Sequence, residues 1–239
     1  MEVKYRLLVA SLFITLTLFT AIFLLGSFLN QERETVVNQA FSQINQDFSE
    51  MQTIFLLADS HDRELACLAL KKKLIDMDES LWDLGFDLER YAAASEEIKE
   101  SDYYEEQKIR FNENQILYYL ILEDAIETCG FEKQIILYFY ADRENCSKCD
   151  DQSFILRDIT LEDEDRNLDR EVAVFSLDTD LGVGSIDILN EYYELQDYPC
   201  VIINDNEPMC GIKGREEIMT VICNENSNLT LCADDWYRT

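Results

Sequence analysis

The chain has few basic residues, few glycines and prolines, and a single histidine. Of its 239 residues, 20 are Lys or Arg and 49 are Asp or Glu, so the formal net charge at pH 7 is −29. This shortage of cations excludes nucleic acid as a partner, because basic side chains must displace the counterions of phosphates. Only two prolines and seven glycines interrupt the chain, and we therefore expect long regular elements.

The lone histidine, His61, also limits metal chemistry. A structural zinc site needs a second closely spaced cysteine pair or additional histidines, and the sequence has neither. The abundant carboxylates form solvated acidic runs without an accompanying base or nucleophile. We predict no metal site and no cofactor.

One long apolar run, residues 7–29, contains no charge and no proline. Its length suffices to cross a hydrocarbon core of about 30 Å as a helix. A cleavable signal peptide is the alternative, but it would have an apolar core of about 7–15 residues and a small-x-small cleavage site, which residues 24–29 do not offer. Lys4 and Arg6 precede the run, so the positive-inside rule places the N-terminus in the cytoplasm. We predict a single-pass cell-membrane protein in which residues 1–30 form a short cytoplasmic N-terminus and a transmembrane anchor, and everything after them is extracytoplasmic.

Helical spacing dominates residues 31–130, which we predict to form three or four packed helices. Apolar side chains recur there at alternating intervals of four and three, a seam of the coiled-coil kind that continues the membrane helix outward. The seam packs either within the chain or against a second copy, so a homo-oligomer through residues 37–55 is one alternative. Its members are Val37, Phe41, Ile44, Phe48, Met51 and Phe55.

Short β-branched and aromatic runs replace the helical spacing after Gly130, and residues 131–239 form the third predicted unit. Strands are predicted at 134–141, 172–177, 199–204 and 208–214, with helices between and after them in the order βαβ, then αββα. Ser185 is expected to cap the helix after the second strand. The inward face of that helix is expected to be Ile186, Ile188, Leu189, Tyr192 and Leu195.

The motif Cys146-Ser-Lys-Cys149 falls where the first of these strands turns into a helix. A thiol at a helix N-terminus faces unpaired backbone N–H groups and the positive end of the helix dipole, which favour the thiolate and make it a nucleophile. The pair is therefore a candidate redox motif.

This arrangement resembles the thioredoxin superfamily over about residues 131–225. The resemblance lies in the order of elements, in Cys-x-x-Cys at the first helix, in Pro199 opening the third strand, and in Gly211-x-x-Gly214 before the last helix. It implies an α/β, thioredoxin-like fold (βαβαββα), preceded here by a transmembrane helix and an all-α segment. It also implies that Cys146 is the attacking thiol, exposed at the helix start, and that Cys149 is the resolving thiol.

The same resemblance implies that Tyr198 and Pro199 bind substrate, with a cis bond between them that turns the backbone of Tyr198 toward the active pair. Two departures from the family are evident. Asn145-Cys-Ser-Lys-Cys149 replaces the Trp-Cys-Gly-Pro sequence of thioredoxins, and Lys148 is opposed by neighbouring carboxylates. Tyr138 stands where thioredoxins carry a buried acid, which removes the usual proton acceptor for Cys149.

The remaining cysteines are expected to form structural disulfides, because disulfides persist outside the cytoplasm. Cys67 with Cys129 would join two helices, and Cys223 with Cys232 would tie down the C-terminal tail.

Cys200 directly follows the proline and lies nearly opposite Cys210 across a turn. A strand-to-strand disulfide there competes with a third redox thiol near the active pair.

The leading functional hypothesis is a membrane-anchored thiol:disulfide oxidoreductase that acts on cysteine-containing exported or membrane proteins and is recycled by a redox partner. The alternative is a redox-inert thioredoxin-fold interaction module in which Cys146–Cys149 is structural. Copper delivery would need a histidine near the third strand, whereas His61 lies in the helical half.

Overall fold

A computed structural model describes residues 2–60, 63–142, 145–166 and 171–233 and has a mixed α/β architecture with a small four-stranded sheet. The helical half consists of α1 (Glu2–Ser60), α2 (Arg63–Ala92), α3 (Glu96–Lys99) and α4 (Asp102–Cys129). The second half follows in the order β1 (Gln134–Tyr140), α5 (Cys149–Arg166), β2 (Val172–Asp178), α6 (Gly184–Tyr192), β3 (Cys200–Ile203), β4 (Met209–Cys210) and α7 (Arg215–Glu225), and a 3₁₀ turn spans Thr230–Cys232.

Helix α1 has an exposed N-terminal part and a second part with a buried face. Residues 9–29 are exposed on every side, and this stretch is long and apolar enough to cross a membrane. Beyond it, the seam residues 37–51 are buried, and Phe55 is partly buried. The prediction that one helix continues from the apolar run into the seam is confirmed.

The seam packs against α2 within the same chain. Helix α2 is one continuous helix, and it presents a buried stripe to the seam. Beside this contact, Lys73 Nζ lies 2.6 Å from carboxylate oxygens of both Asp47 and Glu50. Because the seam is covered intramolecularly, packing within the chain is the alternative that the structure favours. The buried stripe of α2 comprises Ala66, Leu70, Leu74, Met77, Leu81, Leu84, Leu88 and Tyr91.

Both ends of α4 have residues typical of helix caps. Ser101 Oγ accepts a hydrogen bond from Tyr104 N at the start of α4, which satisfies one of the free donors of the first turn. Gly130 ends α4 in the left-handed region, at φ +70°, a conformation that glycine adopts without a steric penalty.

The sheet has the strand order β2-β1-β3-β4. Strand β1 is central: it pairs in parallel with β2 and antiparallel with β3. Strand β4 is the edge and pairs antiparallel with β3, so that Cys210 lies opposite Cys200. A parallel β1–β2 pair requires a crossover, which α5 provides.

Helix α4 covers one face of this sheet. The rings of Tyr118 and Tyr119 lie 5.6 and 5.7 Å from the ring of Phe175 on β2. These residues belong to one hydrophobic core that extends from the α1 seam through α4 to the sheet and α6. A second core, on the other face, contains residues of α5 and α7. The change of pattern at Gly130 is therefore a change of secondary structure within continuous packing.

Helix α6 differs from its prediction. Val183 is the N-cap residue and Ser185 lies inside the first turn, so the predicted capping by Ser185 is wrong. Ile186 is buried, but Ile188 and Tyr192 are 68% and 75% exposed. Residues two and six positions after Ile186 lie on the opposite side of a helix. Leu195, which is buried, and Leu189, which is partly buried, reach the core as predicted, and Tyr193, which was not predicted, packs against it as well.

Strand β4 is also shorter than the predicted 208–214. Gly211 adopts φ +78°, and its N–H donates to Pro199 O at 2.8 Å. A left-handed residue directs the chain away from the ladder, so pairing stops after Cys210.

The shared core predicts that residues 131–239 do not fold alone. Removing α4 exposes the face of the sheet around Phe175, whereas removal of residues 1–30 leaves both cores intact. We expect residues 131–239 to show no cooperative thermal transition by circular dichroism. Residues 31–239 are the matched control and should unfold cooperatively. A sharp transition in the shorter fragment would contradict the dependence on α4.

Candidate redox site

Cys146 and Cys149 form a disulfide at the carboxyl end of β1. After the strand, Cys146 N donates to Asp142 O at 2.7 Å, which closes a turn. The first backbone bond of α5 runs from Gln152 N to Lys148 O. The pair therefore lies between strand and helix, as its position in the sequence predicts, and Cys149 is the first residue of α5.

The disulfide is covered. Cys146 and Cys149 are each 4% exposed and pack with Ala141 against Tyr140 and Tyr198. The expectation of an exposed Cys146 at the helix start is wrong for this state, because Cys146 precedes the helix and its sulfur is bonded inward to Cys149. An incoming thiolate reaches the bond only after Cys146 is uncovered.

Tyr198 lies beside the pair, and Pro199 follows it in the chain. The bond between them is cis, as the resemblance implies, and Tyr198 packs against the cysteine cluster. The hydroxyl of Tyr198 donates to Asn190 Oδ1 at 2.9 Å, which ties the ring to α6. The structure thus brings Tyr198 together with Cys146 and Cys149, and Pro199 joins this group through its cis bond to Tyr198.

Two tyrosines of β1, the buried Tyr138 and the partly buried Tyr140, lie beside the pair. The Tyr138 hydroxyl donates to Cys149 O at 2.6 Å, and its ring stacks on Tyr140 with centroids 5.5 Å apart. Burial raises the pKa of Tyr138 above its ordinary value, and the charge of Asp150 raises it further. Burial likewise raises the pKa of Tyr140, with a contribution from Asp178. Both phenols therefore stay neutral, and β1 places no acid under Cys149.

An ion pair that the sequence analysis missed lies next to these tyrosines. Lys108 of α4 donates to the buried carboxylate of Asp178 at the end of β2, and its Nζ lies 5.6 Å from the centre of the Tyr140 ring. Asn112 Oδ1 accepts a hydrogen bond from Asp178 N at 2.9 Å. Burial lowers the pKa of Lys108, but Asp178 outweighs burial, so the net shift is upward. The partners are 70 residues apart, and no local pattern in the sequence connects them.

The surface of the site is acidic. Asp180 accepts hydrogen bonds from Asp142 N at 2.7 Å and from Asn145 Nδ2 at 3.2 Å. Lys148 lies 3.2 Å from Asp151, with both side chains more than half exposed. Exposed pairs of this kind contribute about 0–1 kcal/mol. The positive charge of Lys148, which would favour a thiolate, is therefore partly offset by the carboxylate of Asp151. Glu144, another carboxylate close to Lys148 in the sequence, lies outside the described residues.

Two further disulfides lie away from this site. Cys67–Cys129 joins α2 to α4, and Cys223–Cys232 joins α7 to the chain after it. Both have the pairing that the sequence suggested.

The third further disulfide, Cys200–Cys210, joins β3 to β4. Cys200 is therefore paired and not a free third thiol.

The part of the chain that the structure describes contains no group of three His, Cys, Asp or Glu side chains arranged to hold a metal ion. His61 lies outside that part. A cavity of 430 Å³ opens at the opposite end of β1, near Gln134 and Asn204, and it does not include the cysteine pair.

No protein-family model matches the chain, and no curated protein matches it significantly.

Replacing Lys108 tests the missed ion pair. Lys108→Met leaves the Asp178 carboxylate buried without its cation, and breaking a buried pair in this way costs about 3–5 kcal/mol. We expect the free energy of unfolding, measured by denaturant titration, to fall by about that amount. Lys148→Met is the control and should change it by less than about 1 kcal/mol. Equal effects of the two substitutions would show that the Lys108–Asp178 pair contributes no more than a surface contact.

Proposed function

We propose that the chain is a membrane-anchored, thioredoxin-like thiol:disulfide oxidoreductase whose catalytic pair is Cys146–Cys149. The observation that carries the proposal is the position of this disulfide, between the end of β1 and the first turn of α5, with Tyr198 packed against it. A Cys-x-x-Cys pair in that context is the arrangement on which the chemistry of thiol exchange depends.

The order of elements supports a thioredoxin-like fold. After Gly130 the strands and helices follow as βαβ and then αββα, and Pro199 immediately precedes β3. These are the features on which the resemblance rests. On one face of the sheet, α4 of the all-α segment packs together with α6.

The chemistry begins with the disulfide form. A client thiolate attacks Sγ of Cys146, the Cys146–Cys149 bond breaks, and Cys149 leaves as a thiolate. A second client thiolate then attacks the client sulfur of the mixed disulfide, and Cys146 leaves. Two electrons pass from the client thiols to the protein, and the client acquires a disulfide. The reverse sequence reduces a client disulfide.

Helix α5 favours the first of these steps. Because Cys149 is the first residue of the helix, the unpaired N–H groups and the positive end of the dipole act on the leaving thiolate. A leaving thiol with a lower pKa departs faster. The neutral Tyr138, hydrogen-bonded to Cys149 O, adds no opposing charge.

The apolar part of α1 is the proposed membrane anchor. Its side chains from 9 to 29 are exposed, and the hydroxyls of Thr15, Thr17 and Thr20 each donate to the carbonyl four residues earlier at 2.8 Å. Lipid offers no partner for a polar group, so satisfaction within the helix suits a membrane span. Lys4 and Arg6 support a cytoplasmic N-terminus, and pairing of all eight cysteines suits an oxidising compartment outside.

A second function is favoured by the burial of the pair. Cys146 and Cys149 are nearly inaccessible, and a disulfide with no approach for a thiolate is structural. In that case the domain is a redox-inert interaction module. The two functions differ in whether Cys146 exchanges with external thiols.

The deciding experiment uses the full chain in detergent micelles. Cys149→Ala leaves Cys146 as a free thiol that cannot be resolved, and incubation with extracts of exported proteins should give adducts on non-reducing gels that reductant removes. Cys232→Ala is the matched control, because it leaves Cys223, a thiol from another buried pair. We expect adducts from the first variant and none from the second.

Replacing Cys146 as well should abolish the adducts, and mass spectrometry would then identify the clients. If the Cys149→Ala variant gives no more adduct than the Cys232→Ala variant, the interaction module is the better description.

A further inference from the structure

Cys210 differs from every other cysteine of the chain in its exposure. It is an exposed residue at the sheet edge, whereas Cys67 and Cys129 are half-buried and the other five are buried. Its partner Cys200 is completely buried. We propose that Cys200–Cys210 is a second thiol-exchange site, in which an external thiolate attacks Cys210. Exchange there does not require activity at Cys146–Cys149.

The direction of attack follows from this asymmetry. Thiol exchange proceeds by approach of a thiolate to one sulfur of the bond, and access decides which sulfur is attacked. Strand β4 is the edge of the sheet, with no strand beyond it among the described residues. An attacking thiolate therefore reaches Cys210 from the edge, while Cys200 is shielded within the core.

The step balances with thiols alone. A thiolate bonds to Sγ of Cys210, the bond between Cys210 and Cys200 breaks, and Cys200 leaves as a thiolate that takes up a proton. A second thiolate attacks the external sulfur of the mixed disulfide, and Cys210 leaves. Two external thiols are oxidised to one disulfide, and the protein pair is reduced to two thiols.

The backbone keeps the two cysteines together after reduction. Cys200 lies opposite Cys210 and Val201 opposite Met209 in the β3–β4 ladder. The next residue, Gly211, donates to Pro199 O at 2.8 Å. None of these backbone contacts depends on the bond between the sulfurs. The reduced pair therefore remains aligned for reoxidation, which a redox-cycling pair requires and a purely structural disulfide does not.

The chain contains a matched control for this site. Cys223–Cys232 closes a sequence separation of 9, and Cys200–Cys210 one of 10. Because loop length sets the entropic contribution of a disulfide, the two bonds are nearly equal in that respect. They differ in exposure, since Cys223 and Cys232 are both buried. A difference in their rates of reduction therefore reports access.

The test is a time course of the full chain in detergent micelles with reduced glutathione under native conditions. Samples are quenched with acid, alkylated, and mapped by mass spectrometry. We expect Cys200 and Cys210 to become labelled at least about tenfold faster than Cys223 and Cys232, because only Cys210 is accessible to the thiolate. Equal rates for the two pairs would overturn the proposal.

Single variants test the direction of attack. Cys200→Ser leaves the exposed Cys210 and should form a stable adduct with oxidised glutathione, whereas Cys210→Ser leaves the buried Cys200 and should not. Equal adduct formation by the two variants would contradict attack at Cys210. If a variant does not fold, the wild-type time course still decides.

The same time course separates this site from the proposed catalytic pair. Opening of Cys146–Cys149 without Cys200–Cys210 would overturn exchange at Cys210 and leave the proposed function standing. Opening of Cys200–Cys210 alone, together with failure of Cys146 to form adducts, would support exchange at Cys210 and overturn the proposed function of Cys146–Cys149. A reduced cysteine-containing polypeptide in place of glutathione shows whether protein thiols also reach the edge strand.

Discussion

The contact between α4 and the sheet is the constraint on which the rest of the structure depends. An isolated four-stranded sheet has two apolar faces, and each must be covered for the domain to be stable. Here α5 and α7 contribute the core on one face, and α4 covers the other with α6. The packing of Tyr118 and Tyr119 on Phe175 joins the helical half to the strands. Helix α4 also packs against α2, so the helices and the sheet share one core.

That contact also brings charge to the candidate redox site. Lys108 is carried on α4, and its ion pair with Asp178 lies beside Tyr140, which packs against the cysteines. Tyr140 lies between the ion pair and the disulfide and is neutral, since burial raises its pKa above the already high ordinary value of a phenol. The helical half therefore also contributes to the site, because Lys108 Nζ lies 5.6 Å from the centre of the Tyr140 ring.

Local patterns predicted most of the elements but not their partners. The apolar run, the seam of residues 37–55 and the short β-branched runs each have a spacing that specifies the element, and these elements are present. An amphipathic spacing shows that a helix has an apolar face but not what covers it, so the place of α4 on the sheet was not predictable. The ion pair between Lys108 and Asp178 joins distant residues without a local signature. Strand β4 was overestimated because the left-handed turn at Gly211 ends the ladder within an otherwise strand-like run.

The net charge of −29 does not by itself decide the chemistry of the thiols. At physiological ionic strength the Debye length is about 8 Å, so exposed charges act mainly on their neighbours. At the cysteine pair those neighbours include Asp150, Asp151 and Lys148, and Lys148 is already paired. A thiolate at Cys149 therefore depends on the first turn of α5, whose N–H groups and dipole are fixed by the backbone. Because this stabilisation is backbone-based and partly buried, it is less sensitive to salt than the acidic surface around it.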